Sequence, residues 1–178
     1  MNLKKWQIIV TIICLILGTI LHFTYEISKY NPIVGLFSAV NESVWEHLKL
    51  LAFPMTLMSL IGVFVVKKQS KNYWLSQVIG IVTAMLFVII FFYTYTGIIG
   101  KNIAVLDIGS FIIGIILGEY VTFKIFKIEN QFKAEIPSII LIILILMLFI
   151  VFTFYPPIIP LFEDPIFGTF GLEPKRID

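Results

Sequence analysis

Five apolar stretches, each long enough to cross a lipid bilayer, constrain this chain of 178 residues more than any other feature. A membrane-spanning helix needs roughly 20 mostly apolar residues, because each residue adds about 1.5 Å of rise. The predicted spans are Trp6–Thr24, Leu48–Val66, Tyr73–Tyr93, Ile103–Phe123 and Pro137–Tyr155. Almost nothing remains for a separate soluble domain. The sequence therefore predicts an all-α, five-helix transmembrane bundle that forms a single membrane domain over residues 1–178.

Composition supports this class and excludes others. Charged residues make up 13% of the chain, whereas a soluble domain carries about 25%. The net charge of +2 is spread between loops with no basic stripe, which argues against nucleic acid as a partner. The single cysteine, Cys14, lies inside the first span, so an internal disulfide is excluded.

The distribution of Lys and Arg predicts the orientation, because these residues accumulate on the cytoplasmic side. With the N-terminus inside, the inner loops carry eight lysines: Lys4, Lys5, Lys67, Lys68, Lys71, Lys124, Lys127 and Lys133. The outer segments carry five basic residues: Lys29, Lys49, Lys101, Lys175 and Arg176. We therefore expect a multi-pass protein of the cell membrane with its N-terminus in the cytoplasm and its C-terminus outside.

Both long outer segments are more apolar than ordinary solvated loops. Residues 25–40 include Asn31-Pro32-Ile33-Val34-Gly35-Leu36-Phe37, which suggests an interfacial or re-entrant segment whose backbone is shielded by protein. The extracytoplasmic tail, 156–178, has too many prolines for a helix and too many apolar residues for a disordered tail. We expect it to fold over the outer end of the bundle as a cap.

Small residues recur at spacings of four, which places them on one face of a helix. They let two helix backbones approach closely in lipid, so we expect packing seams there. The sets are Cys14-Gly18-His22-Glu26, Ser76-Gly80-Ala84 and Ser110-Gly114-Gly118. The first set carries His22 and Glu26 into the bundle, and the third does the same for Asp107. Glu119 is expected to reach the inner interface and is assigned no role.

The start of the second span, Asn41-Glu42-Ser43-Val44-Trp45-Glu46-His47-Leu48, concentrates polar side chains. Asn41 is a suitable N-cap, and acidic residues in a first turn favour the helix dipole. Helix capping accounts for Glu42, accounts less well for Glu46, and does not account for His47. Tyr93 and Tyr95, near the end of the third span, fit the interfacial aromatic belt, with donation to a site as the alternative.

Ionisable groups are costly near hydrocarbon, so their concentration at the outer end of the predicted bundle indicates a use. Two histidines and a carboxylate with an open position form a ligand set of catalytic zinc and suit other divalent metals. We expect His22, His47 and Glu26 as metal ligands. Glu42, Glu46 and Asp107 are the candidate catalytic residues, with Glu42 as the general base. The implied activity is a metal-dependent hydrolase or transferase acting on membrane lipid or envelope material.

Two other functions remain open. A binding or transport subunit, working as a homo-oligomer or with a membrane partner, predicts a polar cavity that reaches past the midplane toward Ser110 and Gln77. A structural or assembly protein predicts that the polar groups only cap helices and anchor the interface. In that case His22 and Glu26 would point toward lipid headgroups without contacting each other.

The runs Leu21-His22-Phe23-Thr24-Tyr25-Glu26 and Asn41 to Lys49, together with the tail from Pro156 to Pro165, are distinctive. They resemble a family of small five-span bacterial integral membrane proteins with no assigned function. The resemblance covers nearly the whole chain and implies the five-span fold, but no catalytic roles. A weaker similarity is to seven-helix membrane hydrolases that hold zinc with three histidines, such as the alkaline ceramidases. This chain departs from them in having five spans and two histidines.

Overall fold

The computed structural model of the chain describes residues 2–172 and is built from six α-helices. The helices are α1 Leu3–Ile27, α2 Pro32–Gly35, α3 Val44–Val65, α4 Tyr73–Ile99, α5 Ala104–Phe126 and α6 Glu135–Phe154. All except the four-residue α2 are long and apolar enough to cross a membrane. Within residues 2–172 no β-strand forms, and one isolated bridge joins Glu163 to Phe170. The predicted all-helical fold is confirmed for these residues, with five helices long and apolar enough to span a membrane.

Several helices extend beyond the predicted spans, because polar residues continue a helix that an apolar pattern does not detect. The start of α3 is Val44, before the predicted Leu48, and α4 continues past Tyr93 to Ile99. The N-cap of α3 is Ser43, whose hydroxyl accepts a hydrogen bond from Glu46 N at 3.3 Å. The predicted cap, Asn41, instead accepts a bond from Ser43 N, so the expected capping residue was wrong.

At the centre of the bundle lies α3. Its most apolar window is 61% buried, compared with 17–33% for the other four spanning helices. It packs against α1, α4 and α6, while α4 and α5 form the most extensive helix pair. The ends of α1, α4 and α6 and the starts of α3 and α5 share one end of this bundle. We call it the histidine end, because His22 and His47 lie there.

The predicted seam between the third and fourth spans is confirmed. The small residues Ser76, Gly80 and Ala84 of α4 are all buried, as are their counterparts on α5. A Cβ atom placed on Gly118 would lie 2.6 Å from the carbonyl oxygen of Gly80. Close approach of the two backbones therefore depends on residue 118 being glycine, which has no side chain.

The ladder on α1 is buried only in part. Cys14 and Gly18 face the core, His22 is half-buried, and Glu26 is exposed, so the expectation that Glu26 points into the bundle was wrong. Four residues turn a helix by about 400°, so a stripe at this spacing drifts by roughly 40° per step. Between Cys14 and Glu26 the drift reaches about 120°, which is enough to leave the buried face.

Glu119 also differs from expectation, because it does not reach the interface. It is 4% exposed, between α1 and α5. The Gln7 amide donates hydrogen bonds to the Glu119 carboxylate and, at 3.1 Å, to its backbone carbonyl. A partner on the neighbouring helix therefore satisfies this carboxyl group inside the bundle.

The tail folds back over the histidine end, as its composition predicted. The Trp45 backbone N–H donates to Leu161 O at 3.0 Å, and the Trp45 ring packs on Phe162 with centroids 4.8 Å apart. The Asn41 amide donates to Gly171 O at 3.1 Å. Residues 173–178, which include Lys175 and Arg176, lie outside the described part of the chain.

The seam between α4 and α5 generates a first prediction. Gly118→Ala should destabilise the protein by roughly 1–3 kcal/mol, because the new methyl group meets the backbone of Gly80. Thermal unfolding of the detergent-purified protein measures the effect. Gly97→Ala is the matched control, since a Cβ there meets nothing within 4 Å. Equal melting temperatures for the two variants would contradict the proposed importance of the seam.

Candidate metal centre

Three side chains from separate parts of the chain converge at the histidine end. His22 lies near the end of α1, His47 in the first turns of α3, and Glu42 just before Ser43. One nitrogen or oxygen atom of each lies within 4.8 Å of the corresponding atoms of the other two. His47 Nε2 is 3.4 Å from one Glu42 oxygen, and His22 Nε2 is 4.0 Å from the other. The carboxylate thus lies within reach of both imidazoles.

The His47 ring is oriented by its own helix. Its Nδ1 lies 2.9 Å from the carbonyl oxygen of Ser43, one turn earlier. A carbonyl can only accept, so we assign a proton to Nδ1, and the other ring nitrogen, Nε2, faces Glu42. A ligating histidine is commonly held in this way, with its second nitrogen donating to a carbonyl.

The His22 ring stacks on His47, with centroids 5.3 Å apart and planes inclined by 29°. Its Nδ1 atom is buried, and no hydrogen-bond partner for it occurs in the described part of the chain. A buried polar atom without a partner is unfavourable. The nitrogen that faces Glu42 is the other one, Nε2, and it is the His22 atom available to a ligand at the site.

Asp107 lines the cavity of about 210 Å³ into which His22, Glu42 and His47 also project. One oxygen of its carboxylate accepts a hydrogen bond from the Tyr95 hydroxyl. The same hydroxyl accepts a bond from Ile103 N at 3.2 Å, which fixes it at the junction of α4 and α5. Tyr95 is therefore a buried donor to Asp107, whereas Tyr93 is 39% exposed.

The cavity closes on apolar residues. Below Asp107 it reaches Ser110 and then the side chains of Leu51, Val88 and Phe111. Gln77 does not line it and instead accepts a hydrogen bond from Ser59 at 2.8 Å. The polar surface is confined to the histidine end.

The remaining two predicted site residues lie elsewhere. Glu26 is exposed one turn beyond His22 and is not part of the three-residue cluster. Glu46 is 1% exposed and faces away from the cavity. Its Oε2 atom lies 2.6 Å from Lys49 Nζ and accepts a hydrogen bond from Val40 N at 3.0 Å. The structure thus places Glu42, and not Glu26 or Glu46, beside the histidines.

Lys49 is the important residue that sequence reasoning missed. The prediction of orientation places its charge on the outer side, at the start of the second predicted span, but its side chain is fully buried within α3. Besides Glu46, the ammonium group donates to Thr153 Oγ1 at 2.5 Å, Gly35 O at 3.0 Å and Ser38 O at 3.4 Å. The spacing of three between Glu46 and Lys49 is the signal that could have found the pair.

These bonds hold residues 28–43, which we call the connecting segment, against the bundle. Ser38 is fully buried in it, and its hydroxyl donates to Leu21 O at 2.5 Å. The Ser38 hydroxyl oxygen also accepts bonds from Thr24 Oγ1 and Tyr25 N, each at 3.0 Å. At the other end of the segment, Glu42 N donates to Asp164 Oδ2 of the tail at 3.1 Å. The position of Glu42 therefore depends on contacts with α1, α3, α6 and the tail.

Five helices long and apolar enough to cross a membrane, with a half-buried His–Glu cluster at one end of the bundle, define the chain as a small multi-pass membrane protein. It belongs to a family of unknown function, DUF6512, whose sequence profile matches residues 1–172. The family membership indicated by the sequence motifs is thus confirmed. No curated protein and no solved structure matches the chain.

The buried pair generates a second prediction. Lys49→Met should destabilise the protein by about 3–5 kcal/mol, because it leaves the Glu46 carboxylate buried without its counter-ion. Chemical or thermal unfolding in detergent measures the loss. The double variant Glu46→Gln/Lys49→Met should recover part of it.

Lys67→Met is the matched control, since Lys67 and Glu135 form a partly exposed pair at 3.8 Å. That change should cost less than about 1 kcal/mol. A Lys49→Met variant as stable as this control would show that the buried pair is not important for stability.

Proposed function

We propose that this protein is a metal-dependent hydrolase or transferase of the membrane, with a divalent cation such as zinc held by His22, His47 and Glu42. The convergence of their three ligand atoms beside a cavity carries this proposal. Bonds of 2.0–2.2 Å in tetrahedral geometry separate ligand atoms by about 3.3 Å. The 3.4 Å between His47 Nε2 and one Glu42 oxygen agrees with this. The 4.0 Å from His22 Nε2 is to the other Glu42 oxygen, and single atoms of the three residues lie within 4.8 Å of one another, so metal binding would draw the three side chains closer together.

The chemistry follows from the residues around the cavity. A bound divalent cation would activate water or polarise a carbonyl or phosphoryl oxygen. Asp107 is the proposed general base, because it lines the same cavity and Tyr95 orients its carboxylate. In hydrolysis the water oxygen bonds to the carbonyl or phosphoryl centre and its proton passes to Asp107. The proton then returns to the leaving group as the bond to that group breaks.

This assignment changes two roles predicted from sequence. Glu42 becomes a ligand in place of the exposed Glu26, and Asp107 becomes the base in place of Glu42. Glu46 serves the fold through Lys49 and has no catalytic role. Transport is less favoured, because the cavity ends on Leu51, Val88 and Phe111 well short of Gln77.

We also propose that the histidine end faces outward across the cell membrane. With Lys49 buried, the described part of the chain has two lysines in the loops at that end, Lys29 and Lys101, against eight at the other, which favours a cytoplasmic N-terminus. Ile33 and Phe37 of the connecting segment are 70% and 46% exposed, which suits a segment embedded in the interface.

Metal content is the third prediction. The detergent-purified protein should contain about one equivalent of zinc or a similar divalent metal per chain, measured by elemental mass spectrometry after dialysis. His22→Ala, His47→Ala and Glu42→Gln should each weaken binding by at least about tenfold, because each removes a proposed ligand.

Glu26→Gln is the matched control for Glu42→Gln, since it alters a glutamate near the cluster but outside it. It should leave the metal content unchanged, as should Asp107→Asn, whose carboxylate is assigned to proton transfer. Metal-free wild-type protein that also fails to bind added zinc would refute the proposal. The cluster would then be a structural hydrogen-bonding group.

Orientation gives a fourth prediction. In a Cys14→Ala background, Lys101→Cys at the histidine end should react with a membrane-impermeant maleimide in intact cells. Lys71→Cys, in the loop before α4, should react only after permeabilisation. Both lysines are exposed in loops, so the difference reports sidedness and not accessibility. The reverse pattern would place the histidine end in the cytoplasm.

A further inference from the structure

A second cavity, of about 240 Å³, lies on the other side of the two histidines. It runs between α1, α3 and α5 and shares five lining residues with the first cavity: His22, His47, Asp107, Ile108 and Phe111. Apart from the two histidines and Asp107, its walls are uncharged and mostly apolar: Gly18, Thr19, Phe23, Leu50, Ile108 and Phe111. We call this second cavity the lateral groove.

The lateral groove opens toward the surroundings of the bundle. The groove is flanked by Phe23 of α1 and Ile108 of α5, whose side chains are 51% and 60% exposed. Thr19, which follows Gly18 on α1, is also exposed. All of these residues belong to membrane-crossing helices. Exposed apolar side chains on such helices face lipid, so the mouth of the groove opens into the bilayer.

At the wall of the groove, Gly18 permits close packing. A Cβ at this position would overlap Leu50 O and would lie 2.6 Å from Cζ of Phe111, so α1 packs directly on α3 and on the Phe111 ring because residue 18 is glycine. The ionisable groups lie at one end, where His22, His47 and Asp107 meet, and the hydroxyl of Thr19 donates to Leu15 O at 2.8 Å within its own helix. The groove is thus apolar along its length and polar at its inner end.

This polarity matches one kind of molecule. We infer that the substrate is a membrane lipid, which enters sideways between α1 and α5 with one acyl chain in the lateral groove. The inference rests on the proposed metal-dependent function. The chain would lie along Gly18 and Phe111, and the linkage next to the headgroup would reach His22 and His47. The headgroup would occupy the first cavity, beside Glu42 and Asn102.

Crosslinking tests the inference without needing turnover. The protein in detergent is given a limiting amount of phosphatidylethanolamine that carries a diazirine in one acyl chain, and the labelled residues are mapped by mass spectrometry after irradiation. We expect labels to concentrate on the walls of the lateral groove. Thr19→Trp, which places an indole in the mouth, should reduce this labelling by at least about fivefold, in keeping with an unfavourable overpacking energy.

Ile20→Trp is the matched control, because residue 20 is a neighbouring, 51% exposed position on α1 that does not line the groove. It should leave the labelling of the groove unchanged. Labels spread evenly over the exposed helix faces, or equal labelling of the two tryptophan variants, would overturn the inference.

Metal content measured on the same samples separates this inference from the proposed function. Metal-bound protein without groove labelling would refute lipid entry and leave the metal centre intact. Groove labelling in protein that binds no metal would show a lipid site and refute the catalytic use inferred for it.

Discussion

The ion pair between Glu46 and Lys49 is the interaction on which the histidine end depends. Both side chains are shielded from water, and the ammonium group has further acceptors at Gly35, Ser38 and Thr153. Removing two charges from water is costly, and these bonds offset part of that cost, while Glu46 Oε1 is buried with no hydrogen-bond partner in the described part of the chain. In return, one side chain of α3 holds both the connecting segment and α6.

Each member of the His–Glu cluster is linked to that pair. His47 directly follows Glu46 on α3, so its direction is set by the same turn of helix. His22 is coupled through Ser38, which bonds to the carbonyl of the preceding residue, Leu21. Glu42 lies at the end of the connecting segment, two residues after Val40, whose N–H group donates to Glu46. A buried structural charge pair thus positions a cluster that is open to a cavity.

Features of this site that arise from neighbouring residues in the sequence could be predicted, whereas features that arise from distant residues could not. Apolar span length and helical periodicity, both local properties, were enough to bring His22, His47 and Asp107 to one end of the bundle. Glu26 was misplaced because a spacing of four drifts around a helix with 3.6 residues per turn. The spacing of three could indicate the pair of Glu46 and Lys49, but not how the ammonium group is satisfied when buried, since its other partners Gly35 and Thr153 lie 14 and 104 residues away. The position of Glu42 likewise depends on a segment fold that no periodicity describes.

The hydrogen bonds from the start of α3 to the tail also set an order of events during synthesis. The N–H group of Glu42 is bonded to Asp164, 122 residues later, and the amide of Asn41 to Gly171, 130 residues later. Both histidines leave the ribosome long before these partners have been translated. A nascent chain that stalls before its last span therefore carries both histidines but lacks Asp164 and Gly171, whose hydrogen bonds help to position Glu42. The cluster is completed only when the final residues of the fold have been delivered to the membrane.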